Sequence, residues 1–180
     1  MVSLAQLWLP ILVSAVFVFI ASSIINMALH FWHGGNYRGF LNEDEVRAVV
    51  RKNISGIGMY TLPYCKPEDA KKPEMQAKIN DGPVAFVFVR KNGMNMFPPL
   101  ALWFTFCLIV SAFAGCFAGM IPAPNAKLVF HAAAGAALLG HAVGLMPMGI
   151  WWAHPWASVI KYMIDGVIYA AIVGGTFVWL

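Results

Sequence analysis

The chain has 180 residues, 60% of them hydrophobic and 11% charged, with a mean hydropathy of +0.69. Soluble domains carry roughly a quarter charged residues, so an ordinary soluble domain is excluded and a bilayer protein is the class that fits. The net charge of +4 does not point to nucleic acid, because the basic residues are confined to one region and interleaved with acids.

Residues 7–29 (LWLPILVSAVFVFIASSIINMAL) predict a first transmembrane helix, since crossing the hydrocarbon takes about 20 apolar residues rising about 1.5 Å each. Trp8 and Trp32 bracket it at headgroup depth, and Pro10 falls early, where a missing N–H is tolerated. No positively charged stretch precedes it, so it reads as a span and not as a secretory signal. From residue 34 to 98 the chain turns polar and reads as an ordered α+β insert. Asn42 ahead of Glu43, Asp44 and Glu45 is a helix start with a capping side chain and acids at the positive dipole end. Residues 57–62 and 84–89 predict strands, and 74–80 a short helix between them. Asn92-Gly93 predicts a turn, and Met94 to Phe97 a returning strand broken by Pro98 and Pro99. A domain of about 65 residues is marginal alone, so the insert is expected to pack on the bundle or on a partner.

Residues 100–121, 128–148 and 162–180 predict three further spans, with a Trp-rich interfacial loop at 149–160. The organisation is therefore a first helix with its flanks at 1–33, the insert at 34–98, and three helices at 99–180. It is a mainly α, polytopic four-helix bundle with a small α+β insert between helices 1 and 2. Small residues recur every fourth place in each of the last three spans: Ser111, Gly115 and Gly119; Ala132, Ala136, Gly140 and Gly144; Gly166, Ala170 and Gly174. Such ladders let helix backbones approach closely in a bilayer. Three of them exceed what a monomeric bundle requires, which favours other membrane subunits or self-association as partners.

Four spans put both termini on one side. Of the 12 Lys and Arg, ten lie between Arg38 and Lys91, Lys161 falls on the same side, and only Lys127 lies opposite. The positive-inside rule then predicts a cytoplasmic insert and periplasmic termini.

At about 100° per residue, His141 points into the small-residue arc of its helix and so toward the bundle, whereas His131, one turn from the helix start, is interfacial. Asn26, Thr105, His141 and Asp165, with Tyr169 beside Asp165, form a polar layer contributed by all four helices near the cytoplasmic boundary. A carboxylate in hydrocarbon costs about 2.5–3.5 kcal/mol even on insertion scales, which makes Asp165 a candidate site residue with His141 or Lys161 as its partner. His30, His33, Cys65, Met94 and Met96 are soft donors that would suit copper(I) if gathered, and bis-histidine haem needs two inward histidines where only His141 clearly qualifies. Methionine is also an ordinary core filler, so no cofactor is expected. The three cysteines, Cys65, Cys107 and Cys116, make neither a disulfide framework nor a CxxC spacing. No P-loop, GxGxxG, HExxH or GxSxG sequence occurs, and a catalytic role is not expected.

The opening LWLPILVSAVFVFIASSIINMALHFWH, the PEMQAKINDGPVAFV segment and the closing DGVIYAAIVGGTFVWL resemble a group of uncharacterised bacterial inner-membrane proteins with four predicted transmembrane helices. The resemblance covers most of the chain. It implies a bacterial plasma-membrane location and carries over no site residues. The expected function is a non-catalytic accessory or scaffold subunit of a membrane assembly. Its rivals are a small transporter or proton-linked protein using Asp165 and His141, and a copper or haem protein of the respiratory membrane. Neither duplicated halves nor broken helices, the usual marks of a transporter, are expected.

Overall fold

The computed structural model describes residues 3, 5–91, 93 and 95–180. The chain forms two compact units: residues up to 37 together with those from 95 onward, and residues 38–94.

The first unit is a four-helix bundle. α1 (Trp8–Ser23) runs into a π turn at Ile24–Ala28, and Leu29, at φ −89° and ψ 64°, breaks the helix before the single turn α2 (His30–His33). In the second unit, α3 (Glu43–Asn53) begins at Asn42, whose Oδ1 accepts from the Glu45 N–H at 3.3 Å while its Nδ2 donates to Glu45 Oε2 at 2.7 Å. β1 (Gly58–Leu62) and β2 (Ala85–Val89) pair antiparallel, with Gly58 opposite Val89 and Leu62 opposite Ala85. Between them lies α4 (Pro73–Asp81), opened by Pro73 and closed by Gly82 at φ 71°. No residue of α3, α4, β1 or β2 is fully buried.

The chain returns to the bundle with α5 (Phe97–Gly119), α6 (Ala126–His141), α7 (Met146–Trp151) and α8 (Trp156–Trp179). Four stretches are long and apolar enough to cross a membrane, Trp8–Ala28, Phe97–Gly119, Ala126–Trp151 and Trp156–Trp179, and the chain is a multi-pass membrane protein by that measure. Their outward faces carry Leu12, Phe17, Ile20, Leu102, Ile109, Phe113, Leu139, Ile164 and Ile168, all exposed. Water would not tolerate so broad an apolar surface, and acyl chains require one.

Around the bundle α1 neighbours α5, α5 neighbours α6, α6 neighbours α8, and α8 closes the ring on α1. Small residues set the spacing. A Cβ at Gly166 would overlap the His141 carbonyl and lie 2.7 Å from the Ala142 Cβ, and one at Gly174 would lie 2.8 Å from the Ala134 Cβ, so α8 rests directly on α6. Gly140 meets Val110 of α5, Gly115 meets Ile11 of α1 and Phe177 of α8, and Ser111 hydrogen-bonds Ser14 across α1 and α5 at 3.0 Å. Ala170 and Gly119 are also buried, whereas Ala132 and Ala136 are half-buried; the fully buried row of α6 is Ala133, Ala137 and His141.

Several expectations are corrected. The helix expected over 128–148 ends at His141, and Val143–Leu145 forms a 3-10 turn before α7. The break falls at Ala142, at φ −119° and ψ −63°, and Pro147 sits in the first turn of α7, where its missing N–H is tolerated. Broken helices are therefore present, in α6–α7 and at the π turn after α1. Gly144 lies past the helix end, exposed, and is no part of a packing ladder. Pro98 and Pro99 do not end a strand but sit in the first turn of α5, which begins at Phe97. The rest of that strand and its turn involve Asn92 and Met94, which lie outside the described residues. The loop expected over 149–160 is shorter, because α7 extends to Trp151 and α8 starts at Trp156.

Candidate functional site

The end of the bundle that gathers the C-terminal part of α1, the start of α5, the end of α6 and the first half of α8 borders a half-open cavity of about 510 Å³. Its walls are mostly apolar, with Met27, Leu100, Trp103, Phe106, Leu145 and Met148 among them. Ser22, Ser23, Asn26, His141, His154, Tyr162, Asp165 and Tyr169 supply polar atoms. That volume is within the range of small-molecule sites, about 300–1,000 Å³.

Asp165 lies nine residues into α8, about 14 Å along the helix, and is 2% exposed. Its partners are neither His141 nor Lys161, as the depth argument expected. Oδ1 accepts from Trp32 Nε1 at 2.8 Å, and Oδ2 pairs with His33 Nε2 at 2.7 Å. The π turn and the break at Leu29 explain the difference, because they re-aim the chain so that α2 presents both rings to α8. Asn36 Nδ2 donates to His33 Nδ1 at 2.9 Å, which leaves the ring proton on Nε2, where it is donated to the carboxylate. Tyr162 stacks on the His33 ring at 4.6 Å. Lys161 acts one step away, donating from Nζ to the Trp32 carbonyl at 2.7 Å and lying 5.6 Å from the centre of the Trp32 ring.

His141 presents the opposite situation. It is the last residue of α6, 5% exposed, and among the described residues neither Nδ1 nor Nε2 has a hydrogen-bond partner. Three rings meet it edge to face: Phe106 at 5.2 Å, Tyr169 at 5.5 Å and Trp103 at 6.0 Å. Trp103 is itself fixed by donating Nε1 to Ser22 Oγ at 2.7 Å.

The expected polar layer is thus partly assembled. Asn26, His141, Asp165 and Tyr169 all line the cavity, Asn26 also donating to the Ser22 carbonyl at 2.9 Å. Thr105 does not join them. It is exposed on the far face of α5, with its hydroxyl returned to the Ala101 carbonyl at 2.9 Å, a bond that satisfies threonine within its own helix. His131 is exposed and its Nδ1 meets the Lys127 carbonyl at 2.6 Å.

The soft donors are not gathered into one site. His33 is engaged by Asp165, His30 is exposed, Cys65 lies in the insert and donates to the Lys66 carbonyl, Met96 lines the cavity, and Met94 is outside the described residues. Among the described residues no three His, Cys, Asp or Glu converge as a metal site would require.

Trp32, Asn36, Trp103 and His154 were missed as site residues from sequence. One signal was available for the first two. A buried carboxylate needs N–H donors, and HFWHGGN at positions 30–36 supplies a run of them directly after an apolar span. The chain matches no family model, no curated protein and no solved structure.

Proposed function

We propose that this protein binds a small, largely apolar molecule inside its membrane bundle. The observation that carries the reading is the cavity of about 510 Å³, walled by apolar side chains and floored by a few convergent polar ones. The reading develops the transporter or proton-linked alternative, with the broken helices at the cavity's margin as further support. Helix breaks there leave backbone groups and side chains free to reach a ligand where a regular helix would not. The accessory-subunit reading rested on surplus small-residue ladders, and that surplus is reduced, because Gly140, Gly115, Gly166 and Gly174 are engaged by the chain's own helices. We further propose a bacterial plasma-membrane location with a cytoplasmic insert and periplasmic termini, supported by the clustering of basic residues and by the resemblance noted above.

The test is extraction of the full chain, purified in mild detergent, with organic solvent, followed by mass spectrometry and an absorbance spectrum. One lipid-soluble compound near equimolar amount is expected, and it should be lost from a Ser23→Trp variant that fills the cavity. Identical extracts from the two proteins would refute the reading. A Soret band would instead assign the cavity to haem, with His141 and His154 both at its wall. A stoichiometric second membrane protein would return the accessory-subunit role.

A further inference from the structure

We propose that the ligand is a neutral, flat ring bearing an oxygen at its edge, of the lipid-soluble quinone and quinol class, held by a hydrogen bond between that oxygen and His141. The inference rests on the cavity-binding reading above. His141 is 5% exposed and borders the cavity, and both its ring nitrogens are buried and without a partner among the described residues, so a ligand oxygen reaches one of them through a small turn of the imidazole toward the cavity. A buried polar group left unsatisfied is costly, so a ligand that supplies its partner recovers that energy on binding.

Three further observations narrow the chemistry. Both oxygens of the Asp165 carboxylate at the cavity are already engaged, each accepting from an N–H of Trp32 or His33. An anion would meet that negative charge in a largely apolar site, and a cation would find both carboxylate oxygens already bonded, so the site favours a neutral ligand. Trp103, Phe106 and Tyr169 surround the His141 ring at centroid distances of 5.2–6.0 Å, and aromatic walls favour a flat π system over a branched or globular ligand. The hydrogen-bonding chemistry of the imidazole completes the match. A neutral imidazole offers one N–H and one lone pair, so it can donate to a quinone carbonyl or accept from a quinol hydroxyl. The same residue holds both forms.

The experiment uses the full chain in detergent micelles with three probes of equal tail length: decylubiquinone, decylubiquinol and decylbenzene. Bound probe is quantified by mass spectrometry after rapid filtration, with partition into empty micelles subtracted. Quinone and quinol should bind within about threefold of each other, and each about tenfold tighter than decylbenzene, the factor that one hydrogen bond to a neutral group supplies. In His141→Leu both oxygenated probes should fall to the level of decylbenzene, whose own binding stays unchanged. Nitrogen-15 shifts of the His141 ring should move with decylubiquinone and not with decylbenzene, a readout that needs no variant to fold.

Equal affinity of wild-type protein for quinone and decylbenzene would overturn the headgroup assignment while leaving the cavity reading intact. Binding of none of the three would refute both. A quinone preference that survives in folded His141→Leu, or His141 nitrogen shifts indifferent to quinone, would remove His141 from the site. Decylamine, run as a cationic control beside the three probes, should bind more weakly than decylubiquinone, and tighter binding of it would overturn the requirement for a neutral ligand.

Discussion

Replacing Asp165 tests whether the chain N-terminal to the insert is fastened to α8 through this carboxylate. The carboxylate accepts two N–H bonds, from Trp32 at 2.8 Å and His33 at 2.7 Å, and is 2% exposed. Hydrogen bonds to a charged group contribute about 1.5–3 kcal/mol each. Asparagine keeps the size of the side chain and one acceptor oxygen, so Asp165→Asn should retain the Trp32 bond and lose the bond to His33, at a cost of about 1.5–3 kcal/mol. Alanine loses both bonds and strands two donors, and Asp165→Ala should cost about 3–5 kcal/mol, the usual penalty for breaking a buried pair from one side. His33→Phe completes a double-mutant cycle, since phenylalanine can keep the stack on Tyr162 while deleting the ring nitrogens. The coupling between Asp165→Asn and His33→Phe should be about 1–2 kcal/mol, read from unfolding by SDS in mixed micelles with tryptophan fluorescence. Strict additivity of the two variants, or an Asp165→Asn protein within about 0.5 kcal/mol of wild type, would refute the fastening.

Gly166→Ala should destabilise the bundle by about 1–3 kcal/mol in the same assay, because its Cβ would meet backbone at His141, while Gly175→Ala, with open space around it, should be neutral or slightly stabilising. Thr105→Val should leave stability within about 0.5 kcal/mol, since the hydroxyl bonds only its own helix and faces outward. Asn42→Ala should cost the insert about 1 kcal/mol by removing the cap of α3, measurable as faster amide exchange over its first turn. With the insert cytoplasmic, Cys65 should resist a membrane-impermeant maleimide in intact cells and react in inverted vesicles; the reverse pattern would invert the proposed topology.

Hydropathy made the four spans legible because the bilayer imposes one requirement on every spanning helix, and local turn chemistry brought β1 and β2 within a residue of their observed limits. The inward direction of His141 was also legible, being a property of one helix face. The partner of Asp165 was not. His33 lies 132 residues earlier and beyond a π turn, a feature that no periodicity announces. Thr105 was placed by depth alone, which says nothing of its face. Pro147 was readable in principle, because a proline inside an apolar run suits the first turn of a new helix better than the middle of a long one. The cavity is a property of four helices failing to fill a space between them, and no single segment encodes it.

The ring of helices also dictates an order of assembly during synthesis. α8 leaves the ribosome long after Trp32 and His33, and it carries into the membrane a carboxylate whose donors wait on the far side of the insert. Until α8 docks on α1 and α2, that carboxylate is an uncompensated charge in an apolar medium, and the earlier helices lack their closing neighbour. The Asp165 contact that fastens the finished bundle therefore also separates it energetically from every copy in which α8 has not yet docked.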